Sequence, residues 1–106
     1  MLFNQTWSIV SVREIPGVQR PVVAYARSLG WLAWKMRIEG CNGCPDMWFF
    51  RAGVVVIIEF KAADGNLSAQ QHLRIKDLRD HGFEVHVIDN PAAGRALFDS
   101  FEEDLL

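Results

Sequence analysis

The run Val54-Val55-Val56-Ile57-Ile58-Glu59-Phe60 constrains this chain more than any other segment. Five β-branched residues in succession favour an extended strand. The run is apolar on both faces until Glu59, so it must be covered on both sides. Side chains alternate along a strand, which puts Glu59 and Lys61 on one face and Phe60 on the other. Two charged groups emerging together at the end of a buried apolar strand are costly to hold there without a purpose.

The other elements follow from periodicity and punctuation. Val18, Val22, Tyr25, Ala26 and Leu29 have helix spacing, with Gly30 as a stop. Proline is tolerated in the first turn of a helix, so Pro21 puts the start near Gln19 or Arg20. Residues 31–38 alternate as a strand, residues 40–45 form a loop and residues 47–50 a second strand. Arg51-Ala52-Gly53 is a short hairpin connection into the main strand. Ser68 and Gln71 form a capping-box pattern at the head of a helix running to about His81, with Gly82 ending it. Residues 83–88 read as a strand and 91–101 as a last helix. The expected order is α-β-β-β-α-β-α, a mixed α/β sheet flanked by helices.

The chain has 106 residues, half of them hydrophobic, which suits a single domain over residues 1–106. Residues 1–16 read as an N-terminal extension and a candidate for dimer contact. No apolar run approaches the roughly 20 residues that span a bilayer. The first residues lack the pattern of a signal peptide, so the cytoplasm is the expected location. Two cysteines then argue for reduced thiols rather than a disulfide framework. The net charge is −2, which does not advertise a nucleic-acid binder. Four acids, Asp99, Glu102, Glu103 and Asp104, sit in the last eight residues and read as a solvated helix end. The remainder holds eleven basic and nine acidic residues, a balance of +2. Phosphate affinity would have to come from a local patch. Arg20, Arg27, Lys35, Arg37 and Arg74 are the candidate contacts.

The chemistry is concentrated in Gly43-Cys44-Pro45-Asp46, followed thirteen residues later by Glu59-Phe60-Lys61. If the hairpin pairs its two strands, Asp46 lies beside Glu59 at one end of the sheet. Two carboxylates with a neighbouring ammonium make a sound Mg²⁺ site, because hard oxygen ligands hold the ion while it keeps waters for a substrate. Such an ion lowers the pKa of a water and screens charge on phosphorus. Gln71 shares a helix face with Ile75 and Leu78, so it looks inward, where an amide suits a metal site better than a core. Gln70 falls outside.

Together with Gly65-Asn66-Leu67-Ser68-Ala69-Gln70-Gln71, Leu78 and Gly82-Phe83-Glu84-Val85-His86-Val87, these motifs resemble the virus-type replication-repair nuclease (VRR-NUC) domain, a branch of the PD-(D/E)XK superfamily. The resemblance covers roughly residues 18–90. It implies a restriction-endonuclease-like core. It also implies Mg²⁺ or Mn²⁺ bound by Asp46, Glu59 and the Phe60 carbonyl, with Lys61 and Gln71 in catalytic support. Stand-alone members of this kind, from phages and bacteria, resemble dimeric nucleases that cut branched DNA such as four-way junctions. The family usually carries a glutamate on the first helix. Gln19 takes that place here, with Glu14 nearby, so both are possible accessory residues.

Other readings compete. A nuclease-fold DNA-binding subunit that turns over poorly would suit Gln19 and the acidic balance. Cys41-x-x-Cys44 invites a zinc or redox reading, but a lone pair without a second Cys/His pair is a weak signal, and His72, His81 and His86 lack ligand-like spacing to it. Cys44 takes a slot that is usually small or apolar in the family it resembles, so structural packing is its expected role. Trp31 and Trp34 point to opposite strand faces, one toward the core and the other toward a subunit interface or a nucleic-acid base.

Overall fold

The computed structural model describes residues 15–105. Trp7, Glu14 and nearly all of the N-terminal extension lie outside these residues. The elements are α1 (Ile15–Ser28), β1 (Leu32–Lys35), β2 (Met47–Arg51), β3 (Val54–Phe60), α2 (Ala69–Asp80), β4 (Glu84–Ile88) and α3 (Pro91–Leu105). The order is the one expected from the sequence.

The sheet runs β1-β2-β3-β4. The first three strands form an antiparallel meander, and β4 lies parallel to β3 after the α2 crossover. β3 is therefore an inner strand covered on both faces, as its apolar run requires. Ala52 and Gly53 both have positive φ, at 51° and 78°, so two residues close the β2–β3 hairpin with the twist its strands need.

Alternation divides the core in two. Val56, Ile58 and Phe60 face α1 and α3, joining Val18, Val22, Ala26, Trp31, Phe49 and Phe98. Ile57 faces the other way, onto Ile75 of α2 and Val85, with Trp48, Val55, Leu67 and Leu78 around them. α2 packs mainly over β4. Over β1 and β2 no described element covers that face, and Trp34 is 54% exposed, its ring tilted against that of Phe50 with centroids 5.3 Å apart.

Several boundaries differ from expectation. α1 begins at Ile15, so Pro21 sits inside the helix rather than in its first turn. Burial of Val18 and Val22 on either side of the proline offsets the lost hydrogen bond. β1 is shorter than expected and excludes the buried Trp31, while α3 runs on to Leu105. The acidic end of α3 is not simply solvated. Glu102 pairs with Arg51 at 2.6 Å, and the Tyr25 hydroxyl donates to Asp99.

α1 and α3 meet at Gly94. A Cβ there would lie 2.4 Å from Val22 Cγ2 and 3.1 Å from its Cβ. Val22 is fully buried and stiff at χ1, so it cannot swing aside. Gly94→Ala should therefore cost about 1–2 kcal/mol net, overpacking exceeding the gain in helix propensity. Denaturant midpoints would measure this, and an unchanged or higher midpoint would refute the close contact.

Candidate active site

The site forms where the hairpin register brings the two motifs together. Met47 is opposite Ile58 in the β2–β3 ladder. Continued by one residue, that register sets Asp46 against Glu59. Asp46 is held in place by its own backbone, whose carbonyl accepts from Met36 N–H at 2.6 Å. The Pro45 carbonyl accepts from Trp48 Nε1 at 3.0 Å. Lys35 Nζ stands 3.7 Å from Asp46 Oδ2.

Glu59 has the parity of Ile57, so its side chain lies on the α2 face of the sheet, with Val87 of β4 as its ladder neighbour. It is 9% exposed. Burial, reinforced by the charge of Asp46 and partly offset by Lys61, pushes its carboxyl up to about 7. Lys61 follows on the same side by alternation, and its N–H donates to the Ile88 carbonyl at 2.9 Å, extending the β3–β4 ladder past the strand end.

Gln71 joins the pair from α2. Its Nε2 donates to Glu59 Oε2 at 3.2 Å. Its Oε1 accepts from the Ser68 N–H at 2.8 Å, while its own N–H donates to Ser68 Oγ at 3.1 Å. The capping box and the contact with Glu59 are thus one arrangement, since the cap occupies the amide oxygen and leaves the NH₂ for the carboxylate. Gln70 is exposed.

The loop before Asp46 packs on the same helix end. Gly43 has φ 86°, and a Cβ on it would lie 2.7 Å from Gln70 C and 2.9 Å from Gln71 N. Cys41 and Cys44 are joined as a disulfide around it, with Cα atoms 5.7 Å apart. This corrects the expectation of free thiols. The four-residue loop brings the two Cα atoms within the usual disulfide span, which composition alone does not reveal. The same bond leaves no thiolate pair for zinc.

Not all the expected residues gather here. α1 packs on the sheet face opposite Glu59, and Gln19 makes no side-chain hydrogen bond to Asp46 or Glu59 among the described residues. Glu14 lies outside those residues. Arg27 donates from Nη2 to the Ala33 carbonyl at 2.9 Å, and Arg74 lies 3.2 Å from Asp77. Lys35 is a neighbour of the acid pair that the sequence suggested only as a phosphate contact.

Among the described residues no group of three or more His, Cys, Asp or Glu converges. The acids present are the Asp46–Glu59 pair. No ion pair reaches Glu59 among those residues, so a buried carboxylate faces a second one with only partial compensation. Hard oxygens and unbalanced negative charge suit a divalent cation that keeps several waters.

Among solved structures, a chain described as a VRR_NUC domain matches this one with a TM-score of 0.66 at 25% identity, covering 81% of this chain and 90% of that one. The chain has the VRR-NUC fold. The resemblance seen in the motifs is thereby borne out, as is the α/β class with its mixed four-stranded sheet. No protein-family model matches the chain, and no curated protein matches it. No helix among the described residues of this VRR-NUC fold is long and apolar enough to cross a membrane.

Proposed function

We propose that the chain is a PD-(D/E)XK-type nuclease, a Mg²⁺- or Mn²⁺-dependent DNA endonuclease that hydrolyses phosphodiester bonds in branched DNA as a homodimer. The observation that carries this reading is the buried Glu59, set opposite Asp46 with its carboxyl pushed up to about 7 and Gln71 bonded to it. The VRR-NUC fold supports the same reading.

Asp46, Glu59 and the Phe60 carbonyl would hold the cation. When bound, it supplies an acidified water and charge screening at phosphorus. The protein's own groups do the rest. Gln71 fixes one Glu59 oxygen, and among the described residues no hydrogen bond holds the other. Lys61, on the Glu59 side of the strand end, orients the attacking water or stabilises the anionic transition state. A two-fold dimer would present two such centres to the two related strands of a symmetric junction. Leu32 and Trp34, both exposed and uncovered by any other described element, offer an apolar surface for such self-association.

The test is cleavage of labelled junction, flap and splayed-arm DNA with Mg²⁺ or Mn²⁺. Wild type should cut, and Asp46→Ala and Lys61→Ala should each lose at least about 100-fold. Intact substrate with every metal, together with no calorimetric metal binding, would overturn the reading. DNA binding without cleavage, unchanged in Asp46→Ala, would favour a slow or inactive DNA-binding subunit. The uncharged Gln19 is the residue that motivates that second reading.

A further inference from the structure

The five candidate phosphate contacts fall into different places. Arg74 faces Asp77 on α2. Arg20, Arg27 and Lys35 instead converge with Gln19 on a cleft of about 310 Å³ between α1 and β1. Among the described residues no acid lines this cleft. Arg27 is fixed by its bond to the Ala33 carbonyl, while Arg20 and Lys35 are exposed. Three cations around a concave surface, one of them shared with Asp46 and none facing a carboxylate among the described lining residues, create a field that concentrates anions.

The position of the cleft gives that field a use. Lys35 also lines a neighbouring cleft of about 650 Å³ that contains Arg37 and Asp46. Lys35 lines both clefts, and its ammonium stands 3.7 Å from the Asp46 carboxylate. The acid pair and the cationic cleft are therefore adjacent around one margin of the sheet. A strand whose scissile phosphate lay at Asp46 and Glu59 would pass Lys35 on its way to Arg20.

We propose that the α1–β1 cleft binds a non-scissile backbone phosphodiester of the DNA, with Arg20, Arg27 and Lys35 as the cations and Gln19 as a neutral hydrogen-bond donor. This rests on the reading of the substrate as DNA. It also gives Gln19 a role of its own. An amide there adds a donor for an anion, whereas a carboxylate would cancel part of the cleft's charge. Gln19 is then a substrate contact rather than a missing metal ligand.

The experiment is equilibrium binding of a 5′-hydroxyl, fluorescently labelled junction DNA in EDTA, with salt varied from about 50 to about 200 mM. The 5′-hydroxyl end ensures that only backbone diesters contribute. Arg20→Ala should weaken binding about 5- to 10-fold and lower the log–log salt slope by about 1. Gln19→Glu should weaken it as well, and Lys76→Ala, whose lysine pairs with Asp80 on α2, should leave it unchanged. Thermal melts of each variant confirm folding, and Arg27 is left in place because it holds β1. The proposal is overturned if wild type does not bind, if Arg20→Ala keeps wild-type affinity and slope, or if Lys76→Ala costs as much as Arg20→Ala. Cleavage by wild type is scored separately. A chain that cuts while Arg20→Ala binds normally loses the cleft and keeps the nuclease. One that binds through Arg20 but never cuts keeps the cleft and loses the nuclease.

Discussion

Glu59→Gln is expected to abolish cleavage and, at alkaline pH, to make the domain more stable. Cleavage should fall at least about 100-fold, since the change removes an anionic oxygen from the acid pair proposed to hold the metal while preserving shape. The stability effect has the opposite sign because the carboxylate is held where it costs free energy. Its carboxyl sits at about 7 in the folded chain, against an ordinary value of 4.5. Between those pH values the folded chain retains a proton that the unfolded chain has released. Stability therefore falls as pH rises through this window, and above about 7 the full penalty stands. The penalty is on the order of 3 kcal/mol at most. Glutamine carries none of it, and its carbonyl can still accept from Gln71. At pH 8 the variant should melt several degrees higher than wild type, given about 4–8 °C per kcal/mol at this size. The difference should shrink toward pH 4.5. Saturating Mn²⁺ should raise the wild-type melting point and leave that of the variant unmoved. A variant less stable than wild type at pH 8 would contradict the buried, uncompensated carboxylate.

Gly43→Ala is expected to be the most damaging single methyl group near the site. The position has φ 86°, which an L-residue adopts only with strain. Its Cβ would also meet backbone atoms of Gln70 and Gln71 at 2.7–2.9 Å. Backbone at a helix start cannot rotate away as a side-chain tip can. Strain and overpacking together should cost about 3 kcal/mol, read from denaturant midpoints. The loop can relieve the clash only by lifting off α2, which would carry Asp46 away from Glu59 and disturb Gln71. Activity should therefore fall even where the variant is fully folded. Gly40 has a similar φ of 79° but open space around it, so Gly40→Ala serves as a control for strain alone. Equal losses in the two variants would mean that the contact with α2 contributes nothing.

Much of the site was legible because it depends on local rules. A short hairpin between the two strands brings Asp46 and Glu59 to one sheet end, but reading residues 51–53 as the connection misses that Arg51 pairs with Val54, and it is the two-residue turn at Ala52 and Gly53 that sets Asp46 opposite Glu59. Alternation places Lys61 with Glu59. The Ser68–Gln71 box and the inward face through Ile75 follow from helix geometry. What stayed hidden depends on partners far along the chain. Pro21 pointed to a late helix start, but packing of Val18 and Val22 decided otherwise. The sheet face taken by α1 separates Gln19 from Glu59, and no local pattern reports that face. Arg51 with Glu102 and Gly43 with Gln70 are encounters between distant segments that leave no periodic trace.

For the nuclease proposed above, the Ser68–Gln71 cap has a consequence for turnover. A glutamine side chain free in solution samples many rotamers and can present either end of its amide. Here the helix start selects one orientation before any DNA arrives. The entropy of aligning that donor is lost during folding, so the proposed hydrolysis would begin with one fewer group to immobilise.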